Sequence, residues 1–531
     1  MRTVKPATRA HGTIEHKRPA AAVTASLSDG NLPPSASRSE RGESSRELEL
    51  PDQLPDSRAG RMAIEILDAT QQAQAKSGYF AAMEQLGRRL RAARTLHSSE
   101  RRFVGDALND MVRGLRRLRA LCGGKRPTAR QQYIVYLLDR QLDKVDGSLS
   151  ELTAETLLVQ LPRVLLHKAQ DAGLVVPELL SRLAAMHQRQ AQLAELPQLS
   201  PSERISAIGD ALSYPDWLVQ LLVDDLGLLP ALAVLRAQNL RAPLTVRANR
   251  LKCSVQQLAE RLRGEGVGCQ PSLLAPDALR LGTRINAYGL PSFTDGWFEL
   301  QDEGSQLIAE LCAPPPGATV VDACAGAGGK TLALGAMLGN KGRLIALDID
   351  RDKLTELQKR IRRAGLTNVQ TICTSLDGQP PPRGVHYAEL PVGLLQRGAQ
   401  RVLVDAPCSG LGVLRRHPEA RWRLAPKDIE EVTAKQRAIL AGSAQLVQPG
   451  GRLIYATCTI IRRENDEVVQ DFLSKHPDFV AVPVKEILGS ARAAQLGDGQ
   501  YLRLLPTAIG EEGGPDGFFA AVFRRVGSVV E

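Results

Sequence analysis

Between residues 301 and 531, short β-rich runs alternate with longer amphipathic stretches. Thr319–Ala323, Leu344–Leu347, Val369–Cys373, Arg401–Val404 and Arg452–Ala456 are the buried strands this pattern predicts. Strands that alternate with helices are joined by crossovers rather than hairpins. The expected fold is therefore α/β, with a doubly wound, mostly parallel sheet. Phe479–Val484 and Phe518–Phe523 form a final pair that closes the sheet.

The rest of the chain follows other patterns. Residues 1–57 are rich in Ser, Pro, Ala and charge, and hold too few large apolar residues to build a core, so a disordered arm is expected. From 58 to 240 apolar residues recur at helical spacing, with breaks at Gly123-Gly124, Pro162, Pro177 and the segment Leu196–Ser202, which predicts an all-helical region. Its clearest helix runs over Ser99–Cys122. Phe103, Val104, Ala107, Leu108, Met111, Leu115, Leu118 and Leu121 fall on one side of that helix, and Arg101, Arg102, Arg113, Arg116, Arg117 and Arg119 on the other. Residues 241–300 read as a small α+β module, and no internal repeat is visible.

Charge is unevenly placed. Of 68 Lys+Arg and 58 Asp+Glu, residues 58–140 hold 17 and 7, while residues 1–57 and 141–531 are each balanced. A concentrated positive field favours a polyanionic partner through counterion release, and a solvated arginine-rich helix face is the plainer alternative. No stretch reaches about 18 consecutive apolar residues, and the basic N-terminus is not followed by a short apolar core. Neither a membrane span nor a secretory signal is expected, and a cytoplasmic location follows. The eight cysteines are scattered, with no Cys-x-x-Cys pair, which argues against a disulfide scaffold and against bound metal.

The first predicted strand of the sheet runs into Cys324-Ala325-Gly326-Ala327-Gly328-Gly329-Lys330-Thr331 and then a helix. Glycines there let the backbone turn sharply and approach a ligand beneath a helix N-terminus. A Walker A loop would need glycine at Cys324, and a dinucleotide G-x-G-x-x-G loop would need it at Thr331. One strand later, Asp348 ends the run LIALD, where doubly wound folds place an acid that bonds ribose hydroxyls. A nucleoside cofactor is expected. Two further loops at the carboxyl edge of the sheet carry thiols: Asp405-Ala-Pro-Cys408 after the fourth strand and Tyr455-Ala-Thr-Cys458 after the fifth. That edge is where open α/β sheets bind and react.

The ordered set VVDACAGAGGKT, LDID, VDAPCSGLGVLRRHPEARWR, YATCTI with Glu464-Asn465, and DGFFAAVFRR resembles the RsmB-like (Fmu/Sun, Nol/Nop) family of S-adenosylmethionine-dependent RNA cytosine-C5 methyltransferases, over about residues 211–525. The resemblance implies a class I (Rossmann-like) methyltransferase fold, S-adenosylmethionine as cofactor and RNA as substrate. The closeness of GVLRRHPEARW to the small-subunit branch favours 16S rRNA. It also implies Cys458 as the nucleophile, Cys408 as the residue assisting product release, and Asp405 as the group holding the ring edge. The cofactor would be held by Cys324 to Lys330, Asp348, Asp377 and Asp405. Gly326 and Ala327 stand where the commoner form has Ala-Pro, and Gln379 to Gln400 looks like an exposed insertion. Arg415, Arg416, His417 and Trp422 are suited to RNA contact, as are Arg247 and Lys252 in the module before the catalytic domain. The resemblance also implies a NusB-like helical RNA-binding domain ahead of the core, a pattern that ERRFVGDALNDMVRGLRRLRAL matches only faintly. Two alternatives stay open: the same chemistry on tRNA or another rRNA, and a non-catalytic RNA-binding ribosome assembly factor.

Overall fold

The computed structural model describes residues 49–77, 80–93, 95–124, 126–142, 152–193, 199–282, 285–381, 386–507 and 514–527. Most of the expected arm lies outside the described residues. Its last part is structured: Leu50–Gln53 forms a helical turn whose Gln53 carbonyl accepts a hydrogen bond from the buried Tyr133 hydroxyl. Helices then follow one another from Arg58–Ser77 to Leu228–Ala237. They close over one apolar core that includes Ile66, Leu108, Met111, Tyr133 and Leu218.

The expected helix Ser99–Cys122 is divided into Ser98–Arg113 and Leu115–Cys122 at Gly114, a residue of low helix propensity. Its apolar face packs as expected, but most of its arginine face does not meet solvent. Arg101 donates to the carbonyls of Leu90 and Ala93, which close the preceding helix, and of Leu96 beyond it. Arg116 pairs with Asp210 at 2.7 Å and Asp216 at 2.5 Å, and Arg117 with Asp139 at 3.0 Å. Of the six, Arg102 and Arg119 are exposed.

The small module is a four-stranded antiparallel sheet of β1 (Leu244–Ala248), β2 (Cys269–Pro271), β3 (Ala278–Leu281) and β4 (Phe298–Leu300), in the order β2-β3-β1-β4. The helix Val255–Gly264 packs on it through Leu258 and Leu262. Beyond it, the expected doubly wound sheet forms. Its strands are β5 (Thr319–Asp322), β6 (Arg343–Asp348), β7 (Val369–Cys373), β8 (Ala399–Asp405), β9 (Val447–Thr457), β10 (Phe479–Val482), β11 (Leu502–Leu504) and β12 (Phe518–Arg525). The order is β10-β12-β9-β8-β5-β6-β7, with β11 on β12. β5 through β9 run parallel, while β12 inserts antiparallel between β9 and β10. Helices cover both faces, so Val320, Val321, Ile345, Val402, Leu403 and Ile454 are fully buried. The segment read as an exposed insertion contains the helix Val392–Arg397, anchored by buried Leu394. No helix among the described residues is long and apolar enough to cross a membrane.

Parallel pairing places the ends of β5, β6, β7, β8 and β9 on one edge. The loops after Asp322, Asp348, Cys373, Asp405 and Thr457 therefore converge there.

Candidate active site

Two cavities open along this edge. The first, of about 220 Å³, is lined by Cys324, Gly326, Asp348, Ile349, Asp377, Asp405, Pro407 and Ile439, among others. The loop that builds it needs its glycines. Gly326 and Gly328 have φ of 55° and 91°, and a Cβ on Gly328 would lie 2.1 Å from Leu357 Cδ1. Asp348 holds the loop by accepting the Gly326 N–H at 2.7 Å, and its other oxygen accepts the Asp350 N–H at 2.9 Å. Each carboxylate oxygen retains a lone pair for a hydroxyl of a ligand. Asp377 accepts from the Ser375 hydroxyl and the Gln379 N–H. Carboxylates beside the apolar faces of Ile349 and Ile439 fit a nucleoside: the acids receive hydroxyl and amine protons, and the aliphatic faces receive a flat ring.

The second cavity, of about 440 Å³, lies between the module and the catalytic sheet. It is lined by Thr245, Gln301, Lys330, Arg360, Asp405, Arg416, His417, Cys458 and Phe518, among others. Asp405 borders both cavities. Its carboxylate pairs with Lys330 Nζ at 2.6 Å. Desolvation opposes the charge on buried Lys330, but Asp405 outweighs it and holds the ammonium above its usual range. Lys330 was expected among the cofactor contacts. It turns from the first cavity to the second, and Gly329 lines the second as well. A lysine in the first turn of a helix opposes the helix dipole, so a carboxylate partner was foreseeable from its position. Ala325 packs in a small core with Leu354 and Leu357, and the Ala327 carbonyl accepts a hydrogen bond from Arg360.

Cys458 faces the second cavity, and Cys408 lies beside it with the two sulfurs 3.3 Å apart. The Cys408 thiol is pushed well above its usual range by its hydrogen bond to Cys458, by burial, and by the charges of Cys458 and Glu464. Beneath the glycine loop, buried Asp322 is pushed up to about 7 by desolvation while it accepts from the Thr331 hydroxyl at 2.7 Å.

A family model described as 16S rRNA methyltransferase RsmB/F matches residues 309–524, and one for the ferredoxin-like domain of RsmF/B-like methyltransferases matches residues 214–287. The probable ribosomal RNA small subunit methyltransferase B of Synechocystis sp. is 30% identical over 442 residues, 81% of this chain and 92% of its own length. The Bacillus subtilis protein of the same description is 33% identical over 316 residues, 59% of this chain and 67% of its own. This chain belongs to the RsmB-like methyltransferase family. Among solved structures, PH0851 superposes with a TM-score of 0.62 at 23% identity, over 90% of this chain and all of its own, and so shares the fold.

Of the six residues expected to contact RNA in this RsmB-like chain, four are engaged within the protein instead. The Arg415 side chain is fully buried, donating to Asp516 at 2.5 Å and to the Gly514 carbonyl at 2.7 Å. Trp422 Nε1 donates to the Val112 carbonyl at 2.7 Å, which joins the catalytic domain to the helical region. Its neighbour Arg421 is buried against the Tyr214 ring and donates to Asn239 at 2.8 Å. Arg247 is buried and donates to Gln301 and, at 2.8 Å, to the Gly329 carbonyl. Lys252 donates to the carbonyls of Asp295 and Arg363. The buried guanidinium groups of Arg415 and Arg247 are thereby turned away from phosphate, whereas Lys252 keeps one ammonium N–H beyond its two carbonyl partners. Arg416 and His417 stay at the second cavity, Arg416 bridging Asp516 and Asp302. There burial, and then the charge of Asp516, push the Asp302 carboxyl up to about 6.

Proposed function

We propose that the protein methylates carbon 5 of a cytosine in RNA, with small-subunit rRNA as the substrate and S-adenosylmethionine as the methyl donor. The reading rests chiefly on the two sulfurs 3.3 Å apart where a nucleoside-sized cavity and a wider, cation-bordered cavity share Asp405. The names of the relatives support the rRNA assignment. Asp348 and Asp377 would hold the cofactor's hydroxyl and amine donors, with Ile349 and Ile439 against its ring. When bound, S-adenosylmethionine supplies an electrophilic methyl group.

Carbon 5 of cytosine is a poor nucleophile. Addition of the Cys458 thiolate at carbon 6 turns the ring into an enamine whose carbon 5 attacks the methyl group. Asp405, fixed by Lys330, holds the ring edge by accepting a hydrogen bond from the exocyclic amine of the base. In release the carbon 5 proton passes to water in the open second cavity, the electrons of that bond restore the ring double bond, and the bond from carbon 6 to sulfur breaks with its electron pair returning to Cys458. The Cys408 thiol assists this step by hydrogen bonding the departing sulfur. The target base must leave its stack to reach the second cavity, which favours a loop or an incompletely assembled RNA.

Two substitutions separate these roles. Cys408→Ala should leave addition intact and slow release, so a covalent protein and RNA complex accumulates on a denaturing gel. Turnover without any accumulating adduct would contradict the release role. Asp348→Ala should weaken S-adenosylmethionine binding by about 10- to 100-fold in calorimetry, the effect of losing a charge-assisted hydrogen bond and the loop contact it supports. Unchanged affinity would refute the assignment. Bisulfite sequencing of all RNA from a strain lacking the gene tests the substrate. Loss of one protected cytosine in small-subunit rRNA is expected, whereas loss in tRNA would move the address and no loss anywhere would overturn the chemistry.

A further inference from the structure

Glu464 is fully buried, yet it forms no ion pair among the described residues. A buried carboxylate is costly unless several donors meet it. Three do: the Ser409 N–H at 2.9 Å, the Ser409 hydroxyl, and Gln436 Nε2 at 2.8 Å. Ser409 follows Cys408 directly, so Glu464 grips the loop that carries one catalytic sulfur. The next residue grips the other. Asn465 Oδ1 accepts from the Thr457 hydroxyl at 2.7 Å, and its Nδ2 donates to the Thr459 carbonyl at 3.2 Å, the two residues that flank Cys458. A bond of 3.1 Å between the Ser409 and Thr459 hydroxyls ties the loops directly. The Glu464 carbonyl also receives the buried Tyr455 hydroxyl at 2.6 Å, which anchors the brace to β9.

We propose that Glu464 and Asn465 are positioning residues for the cysteine pair, Glu464 setting the Cys408 loop and Asn465 the Cys458 loop. Neither lines the two cavities, so they act through the sulfurs. The catalytic consequence rests on the cytosine reading above, but the brace itself can be measured without RNA. Two thiols held in contact have a high effective concentration toward each other, which equilibrium with a glutathione redox buffer reports as the fraction of Cys408 to Cys458 disulfide.

In the full chain at neutral pH, with exchange quenched by acid before the bond is mapped by mass spectrometry, Glu464→Gln and Thr457→Val should each lower that equilibrium constant by about tenfold, the scale of one or two lost hydrogen bonds. Thr457→Ser keeps the hydroxyl and should restore it. Unchanged constants in both variants, or no rescue by Thr457→Ser, would overturn the brace. With RNA, Glu464→Gln should accumulate the covalent adduct and Asn465→Ala should slow its formation, at unchanged S-adenosylmethionine affinity. Equal losses in both, accompanied by lost cofactor binding, would indicate general destabilisation and also overturn the assignment. If the disulfide constants fall as expected but the native protein forms no RNA adduct, the cytosine reading fails while the brace stands.

Discussion

Cys458→Ala is expected to lower methyl transfer from radiolabelled S-adenosylmethionine to RNA by at least about 10⁴-fold, because covalent addition at carbon 6 is what makes carbon 5 reactive. Cofactor affinity should be unchanged, since Cys458 faces the second cavity and not the first. Cys458→Ser sharpens the test. A serine hydroxyl fits the same space, but it ionises far less readily than a thiol and should be almost as inactive as alanine. Turnover within tenfold of the native rate in either variant would remove Cys458 as the nucleophile. If Cys408 were the nucleophile instead, Cys458→Ala would keep forming adduct. The geometry makes that alternative unfavourable, because Cys458 lines the second cavity and Cys408 does not.

Asp516→Ala should be the most destabilising change in the catalytic domain's polar core. The Arg415 and Asp516 side chains are 0% and 1% exposed. Arginine does not shed its proton at working pH, so removal of Asp516 strands a charge that water cannot reach. The expected loss is about 3–5 kcal/mol, read as a lower midpoint in urea unfolding. Asp302 offsets little of it, because Asp302 bonds Arg416 and not Arg415. The double variant Arg415→Met with Asp516→Ala should recover most of the stability, since an apolar side chain of similar length fills the site without charge. A single-variant loss below about 1 kcal/mol, or no recovery in the double variant, would show that this pair does not anchor the Cys408 loop to the segment before β12.

Much of the catalytic half was legible because its chemistry is locally encoded. Buried parallel strands produce short apolar runs, and Gly326 and Gly328 of the loop after β5 sit where φ is positive. β11 escaped notice since three residues carry no periodicity and its partner β12 lies beyond a long loop. The arginines were misread for a different reason. Arg116 finds Asp210 and Asp216 some 94 and 100 positions away, and Arg415 finds Asp516 at 101. A basic run looks available when read along the chain, and only packing brings the neutralising acids to it. The segment Leu411 to Leu424 illustrates the same point. Leu411 and Leu414 join the core of the helical region, and Trp422 and Arg421 bond to it, so this segment docks two domains.

By itself, then, the sequence determined the sheet, its reactive edge, the glycine loop with Asp348, and the two strand-end cysteines, because each is a property of contiguous residues. Tertiary structure alone decided the 3.3 Å separation of the sulfurs, the turn of Lys330 toward Asp405, the brace through Glu464 and Asn465, and which arginines remain free. Those features depend on charges and hydrogen-bonding groups from distant segments being desolvated together, and the strength of such pairs is set by burial that no stretch of sequence contains.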